Sequence, residues 1–282
     1  MLLLWSVMCL YIASLNSGSN GNCYYIGNDN EAVLIDAGIS CRETEKRMKR
    51  LALSMSKVKA IFVSHEHTDH ISGIPVLSKK FQLPVYITSN TLKFSGLILE
   101  QHLINSFCAY QTVNVGELSI TPFPKFHDAC DPHSFIVAFN KTRIGIFTDI
   151  GIACEDVIKH FKQCNAAFLE SNYDEEMLAT GRYPYHLKKR IQSSDGHLSN
   201  DDALQLFITH RHSDMSHLIL SHLSKNNNRP ELVEELFSKH AGATKIVVAS
   251  RYCETEVYAI NNIDESYSET KTKQKHLQLS MF

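Results

Sequence analysis

Short apolar runs separated by polar or charged stretches recur along this chain, and their period decides what each becomes. Val33 to Asp36, Ala60 to Val63 and Val85 to Ile87 are strand-like, as are Leu118 to Pro122, Ser134 to Phe139 and Arg143 to Phe147. Ala166 to Leu169, His217 to Leu220 and Lys245 to Ala249 continue the series. Between them, Ser40 to Leu51 and Ile71 to Lys80 carry helical patterning. So do Asn200 to His210, with Ser199 or Asn200 as its cap, and Pro230 to His240, with proline in its first turn. No internal repeat stands out. Strands and helices mixed along the whole length predict an α/β protein with layered sheets.

The apolar opening, Met1 to Ala13, supports two readings. No Lys or Arg precedes it and it is too short to span a bilayer, which favours a first core strand over an export signal. It flows into Ser17-Gly18-Ser19-Asn20-Gly21-Asn22 and then Cys23-Tyr24-Tyr25-Ile26, a pattern of strand, tight loop, strand. From Asn261 onward the chain is polar and predicts a frayed tail over 261–282.

Composition narrows the picture little. The 282 residues suffice for a buried core, and a net charge of −2 gives no global attraction to nucleic acid, so any such site must be local. The eight cysteines form no C-x-x-C pair, which suits reduced thiols in a cytoplasmic protein. Nothing calls for a membrane or a stable protein partner.

The chemistry concentrates in His65-Glu66-His67-Thr68-Asp69-His70, directly after a strand. Imidazole and carboxylate suit zinc, manganese or iron. Alternate residues of an extended loop point the same way, so His65 and His67 can share one ion, while Asp69 and His70 turn toward a second. The bland alternative is a polar surface loop, but three imidazoles and a carboxylate in that order rarely meet by chance. Other ligand-type residues follow strand ends at Asp149, Glu170 and His222.

H-x-H-x-D-H after a strand resembles the metallo-β-lactamase superfamily. That resemblance implies a four-layer αβ/βα sandwich over residues 1–260, with two divalent metal ions at one edge between the sheets: zinc first, manganese or iron as alternatives. It also implies three further ligands in the order His, bridging Asp, His. His127, Asp149 and His222 stand in that order, with His133 near enough to compete with His127. One ion would then be held by His65, His67 and His127, the other by Asp69, His70 and His222, with Asp149 between.

Several segments narrow the resemblance to the YycJ/WalJ-type subgroup, from about Leu10 to Val257. They are Ser17 to Tyr24, Leu34-Ile35-Asp36-Ala37-Gly38, His127-Asp128-Ala129, Leu169-Glu170-Ser171-Asn172, Gly196 to Asn200 and His222 to Asn227. The subgroup is similar to the RNase Z enzymes, and its members are described as phosphodiesterases or exonucleases acting on DNA. The resemblance therefore implies a dinuclear hydrolase cleaving DNA, the attacking group a hydroxide shared by the ions and oriented by Asp69. Glu170 and His197 match the Glu–His pair of RNase Z, which implies that they protonate the leaving alkoxide. No insertion resembling the β-CASP clamp or the RNase Z arm is evident.

Two features have rival uses. The Ser17 to Asn22 loop offers backbone N–H groups for a phosphate, or is a tight turn with no ligand. Lys188-Lys189-Arg190 meets a phosphate backbone, or is a solvated helix face. The rival enzymatic reading is a small-molecule hydrolase of the same fold acting on a thioester, lactone or cyclic phosphodiester. The rival outside enzymology, an inactive metal-binding regulator, would be marked by a broken ligand set, and this set is intact.

Overall fold

Strands buried on both faces read as near-continuous apolar runs, whereas half-exposed strands alternate. Ala32–Ile35 and Ala166–Glu170 are buried at every position, so each must lie in a sheet covered on both sides. The computed structural model describes residues 9–261 and shows two such sheets. The first holds β1 (Leu10–Asn16), β2 (Cys23–Gly27), β3 (Ala32–Ile35), β4 (Val58–Phe62), β5 (Val85–Tyr86) and β6 (Ile104–Asn105) in that order. The second holds β7 (Val113–Val115), β8 (Leu118–Pro124), β9 (His133–Phe139), β10 (Thr142–Phe147), β11 (Ala166–Glu170), β12 (His217–Ser221) and β13 (Lys245–Val248), again in chain order. A last strand, β14 (Tyr258–Ile260), returns to the first sheet beside β1.

The two sheets repeat one plan. β1 to β3 pair antiparallel and β3 to β6 parallel. β7 to β10 pair antiparallel and β10 to β13 parallel. Successive side chains on a strand point to opposite faces, and that alternation sorts the core into layers. Val33, Ile35 and Phe62 meet Ile120, Phe135 and Phe168 between the sheets. Leu34 and Ile61 face outward onto Met48 and Leu77, residues of the helices Cys41–Arg50 and Ile74–Phe81. Leu169 and Leu220 face the opposite way onto Val157, Phe207 and Phe237, from the helices Glu155–Phe161, Asn200–His210 and Pro230–Ser238. Each fully buried side chain of this kind contributes about 1.5–3 kcal/mol. Helix, sheet, sheet, helix is the four-layer αβ/βα sandwich expected from the sequence.

Most elements fall where the hydrophobic pattern places them, including the Ser199 cap, whose hydroxyl accepts from the Asp202 N–H. The first strand, expected over Met1 to Ala13, is observed at Leu10–Asn16 and shares only Leu10 to Ala13 with that expectation. The helix expected over Ile71 to Lys80 is instead two, Thr68–Ile71 and Ile74–Phe81. Gly73 separates them because its backbone packs against the Ile39 carbonyl, where a Cβ would come within 1.9 Å. The residues between β11 and Asn200–His210 carry two short helices, Glu175–Thr180 and Tyr185–Ile191. A bridge between Tyr173 and Ser199 pinches the ends of this excursion, and Tyr173, Leu178 and Ile191, with Tyr183 and Leu187, give it a small core of its own. All eight cysteines are free thiols. No helix among the described residues is long and apolar enough to cross a membrane. Apart from Asn261, the expected tail lies outside the described residues, as do Met1 to Met8.

Candidate metal centre

Ligand sites in open α/β sheets form beyond the carboxyl ends of parallel strands. Here β3, β4, β10, β11 and β12 end close together, and a polar residue at or just past each end is aimed at the same space: Asp36, His65, Asp149, Glu170 and His222. Three of these, Asp36, Asp149 and His222, have positive φ angles of 59°, 52° and 56°. A non-glycine residue there carries backbone strain, tolerated where the surroundings hold it and often met at functional sites. The sharp turn is what swings each side chain off its strand axis. Gly38 brings the Asp69 loop against the sheet, since a Cβ on it would lie 1.6 Å from the Asp69 carbonyl oxygen.

The structure gathers all seven expected ligand residues. His65 Nε2 lies 3.1 Å from His67 Nδ1, which lies 3.3 Å from His127 Nε2. A single His67 nitrogen can serve both neighbours only through a weak three-centre hydrogen bond. Nitrogens each about 2 Å from a shared tetrahedral ion stand about 3.3 Å apart, so the spacing suits a cation. In a second group, Asp69 Oδ2 lies 3.5 Å from His70 Nε2 and 3.5 Å from His222 Nε2. Asp149 stands between the two groups: Oδ2 is 3.1 Å from His70 Nε2, and Oδ1 is 3.4 Å from His222 Nε2 and 3.9 Å from His127 Nε2. Asp149 Oδ2 and His222 Nε2 are buried with no hydrogen-bond partner. Orphaned polar atoms of this kind are rare in protein interiors, and both point to a cation that completes them.

Charge supports the same conclusion. Burial disfavours an imidazolium at His70, yet Asp149, Asp36 and Asp69 overcome it and push its pKa up to about 10. His222 is likewise raised against its burial by Asp149, Asp69 and Glu170. Burial also opposes ionisation of Asp69, but His70 and His222 hold it at about 2. Without metal, protons on these rings offset the crowded carboxylates; divalent cations would replace those protons. The first group behaves differently: burial drives His65 well below its ordinary value and His127 down to about 4, leaving neutral rings suited to ligation.

The second ring nitrogens of His70, His127 and His65 are tied down. His70 Nδ1 lies 2.7 Å from Asp36 Oδ2, His127 Nδ1 lies 3.0 Å from the Gly196 carbonyl, and His65 Nδ1 lies 2.9 Å from Ser64 Oγ. Ser64 donates its N–H and hydroxyl to Asp36. Such partners fix tautomer and ring orientation. Asp36→Asn is therefore expected to weaken metal affinity about 10- to 100-fold while the fold survives, because asparagine tolerates the left-handed backbone there. Chelator competition together with a melting curve checks this; unchanged affinity would remove Asp36 from the supporting frame.

Glu170 is fully buried, and its oxygens are already engaged. Oε1 is 2.8 Å from His197 Nδ1 and 3.0 Å from His222 Nδ1, and Oε2 accepts from the Ile150 N–H at 2.7 Å. Burial would raise its pKa, but His197 and the hydrogen bonds of His197 and His222 hold it at about 2. A carboxylate so occupied holds the two imidazoles in orientation. His197 is 22% exposed and lines the pocket that opens over the cluster, with Arg190, Tyr183 and His222.

Other candidates resolve by position. His133 lies in β9 with Nδ1 on the Asp131 carbonyl and its ring against Phe107, so it takes no part. In the Ser17 to Asn22 loop, the N–H groups of Ser17, Gly18, Gly21 and Asn22 bond within the protein, as a tight turn requires. Its side chains instead brace the site: Asn22 Nδ2 donates to Asp69 Oδ2, and Ser17 Oγ accepts from the His222 N–H. Sequence reasoning missed the contacts of Asp36, Asn22 and Asn172, whose amide donates to the His222 carbonyl. It also missed Lys125, a buried cation donating to the Thr148 carbonyl at 2.7 Å. The only sequence signal for Lys125 is a lysine ending an apolar strand two residues before a ligand-type histidine.

Residues 17–162 match the family described as "Metallo-beta-lactamase superfamily". Over 233 residues the chain is 36% identical to exodeoxyribonuclease YycJ of Bacillus anthracis, covering 80% of this chain and 86% of that one. Over 226 residues it is 30% identical to exodeoxyribonuclease WalJ of Streptococcus pneumoniae serotype 2, covering 77% and 83%. Among solved structures it is similar to the metallo-beta-lactamase fold protein YhfI of Bacillus subtilis, with TM-score 0.69, 15% identity and coverage of 89% and 99%. Human tRNase Z, short form, gives TM-score 0.61 at 15% identity, covering 88% and 99%. The last two are too distant in sequence to speak of more than fold. With the sandwich, the clustered His and Asp side chains and these likenesses in agreement, the chain belongs to the metallo-β-lactamase superfamily.

Proposed function

We propose that this chain is a dinuclear metal-dependent phosphodiesterase that removes nucleotides from DNA. The carrying observation is the Glu170–His197 pair beside the ligand cluster, with His197 partly open to the pocket. Two divalent ions, when bound, supply charge neutralisation at phosphorus and a nucleophilic water at neutral pH. His65, His67 and His127 would hold one, and Asp69, His70 and His222 the other. Asp149 would bridge them, and Asp69 would also orient the attacking group. Glu170 Oε1 accepts the Nδ1 proton of His197 and fixes the ring, so that His197 Nε2 is the nitrogen left to hand a proton to a leaving alkoxide. A phosphodiester in DNA leaves as such an alkoxide, whereas a thioester leaves as a thiolate that needs no such help.

DNA is preferred over RNA because both relatives described above are named exodeoxyribonucleases and each aligns with more than three quarters of this chain. The test is a side-by-side assay of metal-loaded protein on end-labelled single- and double-stranded DNA, RNA, and thioester and lactone substrates. The expected result is shortening of DNA, lost on chelation and restored by zinc or manganese. Efficient turnover of a thioester or lactone with every oligonucleotide intact would replace this reading by the small-molecule one.

A further inference from the structure

Beside the ligand cluster, the excursion between β11 and the Asn200–His210 helix walls a pocket of mixed character. Tyr183, Leu187 and Leu223 give it apolar surface, and Asn172 and Ser224 give it hydrogen-bonding edges. Arg190 stands in its lining with a side chain 59% exposed. Its Nε donates to Asp128 Oδ2, and Asp128 Oδ1 lies 3.4 Å from His127 Nε2, so the guanidinium sits one carboxylate away from the ligand cluster. Both terminal nitrogens of Arg190 are without a partner among the described residues. They are left as a fork suited to phosphate oxygens. The neighbouring cations are engaged elsewhere: Lys188 donates to the Ala179 carbonyl, and Lys189 lies over the Tyr185 ring.

We propose that this pocket is a nucleotide subsite, in which Arg190 binds the phosphate next to the scissile one and Tyr183 stacks on the adjoining base. The subsite rests on the nuclease reading and adds where the strand is gripped. Asp128 holds Arg190 at the rim, and the small core of Tyr173, Leu178 and Ile191 holds the Tyr183 segment against it. An aromatic face with one arginine is a sequence-tolerant way to hold a single strand. In a chain with net charge −2 it offers a phosphate directed N–H donors at one point in place of a basic surface.

The experiment measures binding of a short fluorescent single-stranded DNA with phosphorothioate linkages to the metal-loaded protein, by anisotropy across a salt series, alongside cleavage of the unmodified strand. Arg190→Ala should raise Kd about tenfold or more and reduce the salt slope by about 0.7, the share of one phosphate contact on a single strand. Tyr183→Ala should raise Kd about fivefold or more, with Tyr183→Phe restoring binding because the ring is kept. Melting curves confirm folding, which the exposure of Arg190 favours. If DNA is cleaved but both alanine variants bind with wild-type Kd and salt slope, the subsite is wrong and the nuclease reading stands. If the wild type neither binds nor cuts any oligonucleotide, both fall together.

Discussion

Asp149→Ala is expected to abolish turnover and to lower the metal content from two ions per chain to one or fewer. Asp149 stands between both ligand groups, facing His70 through Oδ2 and His222 and His127 through Oδ1. Its Oδ2 is buried without a hydrogen-bond partner, so the carboxylate is held in place for something other than the fold. Removing it leaves the neighbouring imidazoles without their counter-charge and the two groups without a bridge. The rate loss should meet or exceed the ~10²–10³-fold that follows removal of a single charge-stabilising group in an active site. Elemental analysis after reconstitution and a turnover assay on single-stranded DNA read both effects. Two tightly held ions with near-normal turnover in the variant would rule out the bridging role.

The second large effect separates proton donation from binding. His197→Ala should slow cleavage of substrates with a basic leaving oxygen, DNA among them, by ~10²–10⁴-fold, while p-nitrophenyl phosphodiesters lose far less. The p-nitrophenolate departs without a proton, so it does not call on a general acid. The geometry supports that division: His197 Nδ1 is committed to Glu170 at 2.8 Å, and the ring reaches the pocket without being one of the seven expected ligands. Comparing kcat on the two kinds of ester for wild type and variant measures it. Equal losses on both would make His197 a structural or substrate-binding residue.

The chemistry of this chain was legible in the sequence wherever it depends on near neighbours. His65 and His67 fall two apart in an extended segment, a spacing that puts both rings on one side, and the structure brings their nitrogens within 3.1 Å. Asp149, Glu170 and His222 could be picked out because each follows an apolar run short enough to be a buried strand, and strand ends are where a rigid sheet presents side chains. The layered α/β architecture followed from the same local periods. Other features needed the folded chain. Asp36 buttresses His70 across 34 positions, and Asn22 reaches Asp69 across 47. The choice of His127 over His133 depends on how β8 and β9 pair, which buries one ring against Phe107 and aims the other at His67. Lys188, Lys189 and Arg190 are indistinguishable as a run of cations, and only the helix Tyr185–Ile191 packed near Asp128 sets Arg190 apart. The repeated plan of the two sheets left no visible trace in the residues, because strand order and direction constrain burial and not identity. Periodicity and spacing act over a few residues and are written in the chain. Sheet order, the left-handed turns at Asp36, Asp149 and His222, and the partner of each buried polar atom arise only when two sheets close over a common core and bring distant segments into contact.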